Sequence, residues 1–469
     1  MITAEMEENG NVDLAQNSAT ISPSVVKQKT PRPSPLGPEQ APADYPLPVL
    51  ETIIPPNNQS ATRLQFFLQS WKKITQDTWT LQTIQGYKIP FHSHPRQWRM
   101  RVARTRCHAE AQHMDLAIAN LLAKGAIKEV QPQDNQFTST LFLVQKENGE
   151  FRPVINLRVL NRFLVKESFK MEGLQVVRSL VQPGDWMMKL DLKDAYYTIP
   201  IHSSHRKYLR FVYQNRTYEF QCLPFGLSSA PRAFTKTLKP VLAVLRSLGI
   251  RIVIYIDDML LLHQQSRVLK QLFVQVIDFL EKLGFLLKIE NCSVTPCQCM
   301  VFLGAQLDSS AMTLSLPLPK LDSTVSTCQL LLAQRSGSLR TLSTLIGRMS
   351  HASQTGIMLA PLHYRGLQRL HIHAVTQYGH GRDVVIPLSH PAQDELEWWV
   401  SQSVYLNGCP IRHPPIGATI WTDASKKGWG AAYQGISIGG HWSVEEANAH
   451  INVLELRAAT LALEALLRH

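Results

Sequence analysis

The sequence lacks the features that mark secreted and membrane proteins. Seven cysteines are spread over 469 residues, a low and odd number that suits a reducing compartment with free thiols. Residues 1–10 are acidic and contain no apolar segment of the kind found in signal peptides. No apolar run approaches the roughly 18 residues that a membrane-spanning helix needs. The sequence therefore predicts an intracellular protein of the cytoplasm or nucleus, without a membrane partner.

Residues 1–60 also lack what a folded core needs. They contain one aromatic residue, Tyr45, ten of the 28 prolines, and seven acidic residues against three basic ones. Such a segment buries too little apolar surface to offset the entropy lost on ordering, so a disordered leader is predicted there.

The rest of the chain is strongly basic. The net charge is +12, and because residues 1–60 contribute −4, the remainder carries +16. This balance favours a polyanionic partner such as nucleic acid. Charge alone also fits a basic protein that has no specific partner.

Two adjacent carboxylates, Asp257 and Asp258, interrupt the most apolar stretch of the chain, residues 252–262. The flanking runs have the length of strands, and the Asp pair sits where a hairpin turn belongs. Carboxylates are costly to bury unless they are paired or bound to a metal. A rigid tip that presents two of them suits a hard divalent cation. An ordinary Asp-Asp turn is the alternative interpretation.

A third carboxylate, Asp191, interrupts a second apolar strand, residues 186–192. If the two strands are neighbours, the three carboxylates meet at one edge of a sheet. Sites that transfer phosphoryl groups with two metal ions are built in this way.

Two further segments have features that suit a phosphate-bearing ligand. Residues 140–158 are predicted to form a basic hairpin with Lys146 and Arg152, which is either a solvated face or a clamp for phosphates. Residues 223–231 form a turn around Gly226, where another group can approach the backbone closely. A helix is predicted to begin near Pro231, and its first turn could face a nucleotide.

Taken in order, these segments resemble the core motifs of reverse transcriptases from retroelements and retroviruses. The resemblance runs from about residue 109 to about residue 306. It rests on Leu190-Asp191 with Asp194-Ala195-Tyr196, Leu223-Pro224-Phe225-Gly226, Tyr255-Ile256-Asp257-Asp258, Leu283-Gly284-Phe285 with Lys288, and Val301-Phe302-Leu303-Gly304.

The resemblance implies an α/β (α+β) right-hand polymerase fold, with fingers, an antiparallel-sheet palm and a helical thumb. A chain of this length is expected to form two to four domains. The implied regions are an N-terminal extension (61–108), fingers and palm (109–311), thumb and connection (312–414), and a partial ribonuclease H-like domain (415–469). The implied enzyme is an RNA-directed DNA polymerase, a nucleotidyltransferase that adds dNTPs to a primer 3′-OH on an RNA or DNA template.

The resemblance also implies roles for individual residues. Retroviral enzymes carry Gln-Gly where this chain has Phe225-Gly226, so a hydrogen bond from that glutamine is absent here. The implied sites are Asp191, Asp257 and Asp258 for catalysis and for two Mg²⁺ ions, which Mn²⁺ could replace; Arg152 and Lys146 for the triphosphate; Tyr196 for the sugar; Phe225 and Gly226 for the nucleotide pocket; and Leu303 and Gly304 for the primer grip.

Residues 415–469 resemble the first half of a ribonuclease H domain. Asp423 and Glu455 match the first two metal-binding carboxylates of that family. The third would end a strand that follows the helix predicted over residues 451–463. An incomplete nuclease site is therefore expected, in a half-domain that is unfolded or is completed by a partner. A truncated gene model or a decayed element is the alternative.

Several alternatives remain open. Residues 71–81 and 86–91 look most like retrotransposons of the DIRS-like, tyrosine-recombinase group, with gypsy-type elements second. No Asp-Thr-Gly or Asp-Ser-Gly triplet, the mark of an aspartic protease, occurs. The rival functions are a catalytically silent nucleic-acid-binding relic, an RNA-dependent RNA polymerase, which Tyr196 disfavours, and an autonomous ribonuclease, which the missing carboxylates disfavour.

Overall fold

A computed structural model of the chain describes most of the protein beyond its first 44 residues. The chain divides into two units, one before residue 44 and one from residue 44 onwards, and all described residues belong to the second. Searched over the described part, the chain has no helix with the length and apolar character to cross a membrane. The described residues are 45–55, 60–97, 108–145, 149, 151–379, 381, 383–412 and 417–466.

Residues 45–55 are ordered against the protein, so the predicted disordered leader is wrong for this part. Leu50 is only 5% exposed, and Tyr45, Leu47 and Ile53 pack on the same core. The burial of these apolar side chains is what stabilises this part of the segment. The short helices that follow are α1 (Leu68–Ile74) and α2 (Thr78–Gly86), after a 3-10 helix at Arg63–Phe67.

The next part of the chain combines a long helix with strands of three different sheets. The basic hairpin predicted within residues 140–158 is confirmed by the antiparallel pairing of residues 141–145 with residues 151–155. The elements are α3 (His108–Ala123), β1 (Ile127–Val130), β2 (Thr138–Ser139), β3 (Leu141–Gln145), β4 (Phe151–Ile155), α4 (Leu174–Leu180), β5 (Trp186–Asp191), α5 (Ser203–Arg206), β6 (Arg210–Tyr213) and β7 (Arg216–Phe220).

Two long amphipathic helices frame a hairpin in residues 230–315. In α6, Ala233, Phe234, Leu238, Val241 and Leu245 are buried at helical spacing, which is the pattern of a helix with one core-facing stripe. The elements are α6 (Ala230–Ser247), β8 (Arg251–Tyr255), β9 (Asp258–His263), α7 (Ser266–Lys282), β10 (Cys299–Phe302), β11 (Ala305–Asp308) and β12 (Thr313–Ser315).

A mainly helical unit, residues 318–402, is inserted between two strands of one sheet. This unit follows β12 in the chain. After it, β15 (Cys409–Pro410) pairs with β12, so the strand order of the sheet is β10-β11-β12-β15. Asn407, which follows the helical unit, is hydrogen-bonded to Leu316, which precedes it. The Asn407 amide both donates to and accepts from the backbone of Leu316 at 2.8 Å. The elements are α8 (Leu318–Gln334), β13 (Ser336–Ser338), α9 (Leu339–Thr355), α10 (Arg365–Tyr378), β14 (Val385–Pro387), α11 (His390–Gln402) and β15 (Cys409–Pro410).

The C-terminal segment, residues 421–466, forms an antiparallel sheet of three strands followed by helices. Trp442, Leu454 and Ala458 are buried together as its small core. The elements are β16 (Trp421–Ala424), β17 (Gly428–Tyr433), β18 (Ile436–His441), α12 (Val444–Ala447) and α13 (Ile451–Leu466).

The central sheet, β5, β9 and β8, is antiparallel in the order β5-β9-β8. Its two faces lie in different cores: Leu190 and Met259 pack in the larger core, whereas Met187 and Leu260 pack with Phe302 in the core around β10–β12. Strands covered on both faces are apolar without alternation. This explains the continuous apolar runs around the carboxylates.

We predict that Asp185→Ala destabilises the protein by about 3 kcal/mol in chemical denaturation, because it leaves a partly buried cation unpaired. Asp185 is fully buried before β5, and Arg251 at the start of β8 donates to it at 2.6 Å. The matched control is Lys282→Gln, which breaks the exposed pair with Asp278 and is expected to change stability by less than about 1 kcal/mol. Equal effects of the two changes would contradict the assignment.

Candidate active site

The hairpin between β8 and β9 presents the Asp pair as predicted. Only Ile256 and Asp257 lie between the two strands, and Tyr255 is paired with Asp258 across them. Ile256 has φ 56°, a left-handed conformation that is costly for a β-branched residue. The pairing of β8 with β9 on either side of Ile256 offsets the cost of this conformation and fixes the position of the next residue, Asp257.

The third carboxylate lies beside this hairpin. Asp191, the last residue of β5, is paired with Asp258, and residues opposite each other in an antiparallel pair point to the same face. The backbone N–H of Leu192 donates to the carbonyl of Asp257 at 2.9 Å, which ties the end of β5 to the hairpin loop. The predicted convergence of the three carboxylates at one edge of a sheet is confirmed.

Two of the carboxylates have side-chain partners of their own. The Asn291 amide donates to Asp191 Oδ2 at 2.7 Å. The Lys189 ammonium lies 2.7 Å from Asp258 Oδ1. Within the described residues, no group of three or more His, Cys, Asp or Glu side chains is arranged to hold a metal ion.

The carboxyl group of Asp257 has a raised pKa. Burial raises its pKa above the ordinary value, and the negative charges of Asp258 and Asp191 raise it further. A hydrogen bond from the backbone and the charge of Arg152 act in the opposite direction. A carboxylate among like charges is one that a bound cation would stabilise.

Asp191 and Asp257 lie at a cleft of about 1140 Å³, which Arg152 also lines. Arg152 comes from β4, and its guanidinium lies 4.9 Å from the centre of the Phe225 ring. This is within the range of a cation–π contact. The Phe of the Phe-Gly pair therefore holds the arginine at the cleft by its ring face.

Tyr196 also lines the cleft, and its ring contacts that of Phe225. It is 7% exposed, and its ring lies 5.1 Å from that of Phe225 and 5.6 Å from that of Phe234. Burial, followed by the charge of Asp257, raises its pKa to about 12. The phenol is therefore neutral and rigidly packed at physiological pH.

Gly226 is held against the basic hairpin. It has φ 106°, and a Cβ there would collide with the carbonyl oxygen of Ile155 in β4. Asn161 clamps the same turn: its amide donates to the Gly226 carbonyl at 2.9 Å and accepts from the Ser228 N–H at 3.0 Å. The close backbone approach predicted for this glycine is confirmed.

Leu303 and Gly304 form the turn between β10 and β11, both with positive φ. A Cβ at Gly304 would lie 2.7 Å from His351 Nε2 and 2.8 Å from Lys320 Nζ. The turn is therefore bordered by two nitrogen-bearing side chains from α8 and α9. Neither Leu303 nor Gly304 belongs to the described lining of the cleft.

The remaining predicted residues lie elsewhere. Asp423 is on β16 and Glu455 is on α13, both exposed, and whether they form a site stays a prediction. Lys146 lies outside the described residues.

Sequence reasoning missed Lys189, Asn291 and the clamping role of Asn161. Lys189 is two residues before Asp191, so the period of two along a strand places it on the same face. That signal was in the sequence. Nothing local indicates that Asn291, 100 residues away, contacts Asp191.

Comparison with protein families places the carboxylates within a known domain. Residues 144–307 match the model of the reverse transcriptase (RNA-dependent DNA polymerase) family. The chain is 27% identical over 184 residues to the genome polyprotein of Petunia vein clearing virus (isolate Shepherd), which covers 38% of this chain and 8% of that protein. It is 29% identical over 183 residues to the Pol polyprotein of Equine infectious anemia virus (strain Wyoming), which covers 36% and 15%. The match to the reverse transcriptase family thus lies in residues 144–307, and the chain spans a small part of the length of these relatives.

Solved structures show the same fold. The foamy viral protease-reverse transcriptase in complex with an RNA/DNA hybrid has a TM-score of 0.59 at 16% identity, over 81% of this chain and 49% of that one. The same enzyme in complex with dsDNA has a TM-score of 0.55 at 18% identity, over 81% and 77%. The predicted right-hand polymerase fold is confirmed. The grouping with DIRS-like or gypsy-type elements stays a prediction.

We predict that Asp257→Asn raises the melting temperature at neutral pH in EDTA. A carboxyl whose pKa is raised in the folded state stabilises the fold at low pH and loses that contribution as pH rises through the folded pKa. The amide removes this loss, so the difference between variant and wild type should shrink as pH falls towards the ordinary pKa of Asp. Thermal melts across pH measure this, and an equal or lower melting temperature at neutral pH would contradict it.

Proposed function

We propose that the chain is the RNA-directed DNA polymerase of a retroelement, adding dNTPs to a primer 3′-OH. The observation that carries the proposal is the convergence of Asp191 and Asp257 at a cleft, where the backbone N–H of Leu192, the residue after Asp191, donates to the Asp257 carbonyl at 2.9 Å. The reverse transcriptase domain match over residues 144–307 supports the reaction class. Because the chain spans only part of its relatives, the activity and substrates of the whole protein belong to the proposal.

Asp191 and Asp257 would hold two Mg²⁺ ions, with Mn²⁺ as a substitute. The donors fit, since they are carboxylate oxygens and the Asp257 carboxylate lies among like charges. Mg²⁺ at nucleotide sites is usually held by one or two carboxylates, with water and substrate phosphates completing its shell. When bound, the ions would activate the attacking oxygen and stabilise the charge on the leaving group.

The other side chains of the cleft would position the incoming nucleotide. Arg152, held over the Phe225 ring, would neutralise the triphosphate, for which the fork of a guanidinium is suited. Lys146 would assist it. Tyr196, fixed between Phe225 and Phe234, would close the space beside the sugar 2′ position and so select deoxynucleotides.

A primed RNA or DNA template would be the polymeric partner. Leu303 and Gly304 would grip the primer, beside Lys320 and His351, and the net positive charge of the chain would favour the phosphate backbone. The structural relatives were solved with an RNA/DNA hybrid and with dsDNA, which supports a partner of this class.

The C-terminal segment would be part of a ribonuclease H-like domain of the same element. Its three-stranded antiparallel sheet is followed by α13, which bears Glu455, and Asp423 lies on the first strand. The proposed origin is a DIRS-like retrotransposon, with a gypsy-type element as the second candidate.

We predict that Asp257→Asn lowers Mg²⁺-dependent extension of a primed RNA template by at least about 100-fold, because it removes a charge that holds the ions. The matched control is Asp278→Asn, the same change at an exposed carboxylate on α7, which should extend normally. Full extension by the Asp257 variant would refute the metal assignment. Binding of primed template without extension by the wild type would support the silent relic instead.

We predict that Tyr196→Ala raises incorporation of ribonucleotides relative to deoxynucleotides by about 10- to 100-fold, since it opens the space beside the sugar. Tyr196→Phe keeps the ring and should keep the discrimination. Single-nucleotide incorporation with matched dNTP and rNTP measures both. An unchanged ratio in the alanine variant would show that another residue selects the sugar.

A further inference from the structure

A lysine lies within the carboxylate group, and the sequence motifs assign no role to it. Lys189 Nζ lies 2.7 Å from Asp258 Oδ1. The contact is diagonal across two paired strands, because Lys189 is opposite Leu260 and Asp191 is opposite Asp258. Lys189, Asp191 and Asp258 therefore share one face of the central sheet.

This ion pair is more than a surface contact. About three-quarters of each side chain is covered, with 26% of Lys189 and 29% of Asp258 exposed. Both side chains start from strands whose register is fixed by apolar pairs, so their backbones are already placed for the contact. Fully exposed pairs, which must order two free side chains, contribute little.

The pair also changes the charge that a cation would meet. Asp191, Asp257 and Asp258 together carry −3, and Lys189 reduces this to −2. It also occupies an oxygen of Asp258 that a cation would otherwise use. The described residues accordingly contain no group of three acidic ligands arranged around a metal position.

We propose that Lys189 is a resident counter-cation that keeps Asp258 out of the metal ligands, so that Asp191 and Asp257 alone bind the divalent cations. The inference rests on the proposed function and refines it. Lys189 is then a positioning residue: it acts through Asp258 and contacts neither nucleotide nor primer. Asp258 serves to hold Lys189, and the Lys189–Asp258 pair is electrically neutral towards the cations.

The test is a double-mutant cycle on Mn²⁺ affinity, measured by the electron paramagnetic resonance signal of free Mn²⁺ without nucleotide or nucleic acid. Lys189→Met frees a carboxylate and should bind Mn²⁺ about tenfold more tightly. Asp258→Asn leaves an unpaired ammonium beside the site and should bind about tenfold more weakly. The double variant removes a neutral pair and should match the wild type within about twofold.

Two results would overturn the inference. If Asp258 is a ligand, the double variant loses that ligand and binds Mn²⁺ at least about tenfold more weakly than the wild type. If Lys189 has no influence, Lys189→Met binds as the wild type does. The matched control is the Lys282–Asp278 pair on α7, where Lys282→Met, Asp278→Asn and their combination should leave the affinity unchanged.

Failure of the inference and failure of the proposed function are separable. Asp257→Asn must weaken Mn²⁺ binding strongly if the proposed site is correct, whatever the outcome of the cycle. A melting curve of the Lys189→Met/Asp258→Asn variant in EDTA verifies that its fold is intact, because folding depends on the apolar faces of the central sheet and not on this pair.

Discussion

The pairing of β5 with β9 is the constraint on which the site depends. A shift of one residue would move every side chain of a strand to the opposite face, and Asp191 would then point into the larger core. The apolar residues on both faces prevent this, because Leu190 and Met259 belong to one core while Met187 and Leu260 belong to another. The position of the acidic groups is therefore set by hydrophobic packing, and not by any attraction between the groups themselves.

The acidic groups oppose the fold that assembles them. Three carboxylates in partial burial repel one another, and the pKa of Asp257 is raised first by burial and then by the charges of Asp258 and Asp191. The protein limits the cost with an amide on Asp191 and an ammonium on Asp258, whereas among the described residues no side chain makes a comparable contact with the Asp257 carboxylate. A well-packed sheet that carries an unfavourable cluster of like charges at one end is typical of a site that binds a ligand.

The sequence was sufficient for what depends on local pattern. Apolar runs of strand length with Asp at their ends predicted the hairpin and the meeting of Asp191 with Asp257 and Asp258, and Gly226 predicted a close approach. Contacts between distant segments were beyond it: Asn291 reaches Asp191 across 100 residues, and Arg152 lies over Phe225, which is 73 positions further along the chain. The prediction of a disordered leader was wrong for residues 45–55 for a different reason. The composition of residues 1–60 is that of a disordered chain, yet a few apolar side chains are enough to pack residues 45–55 on an existing core.

The insertion of the helical unit between β12 and β15 has a consequence for the order of assembly. The fourth strand of that sheet is contributed by residues that leave the ribosome roughly 90 residues after the third, so the free edge of β12 stays unpaired while residues 318–402 are made. Closing a loop of that length with two short strands is favourable only once its interior is compact. The helices should therefore condense first, and the amide of Asn407 then joins the two ends at Leu316. Biogenesis of this protein would be most vulnerable to aggregation in that interval, before β15 covers the edge.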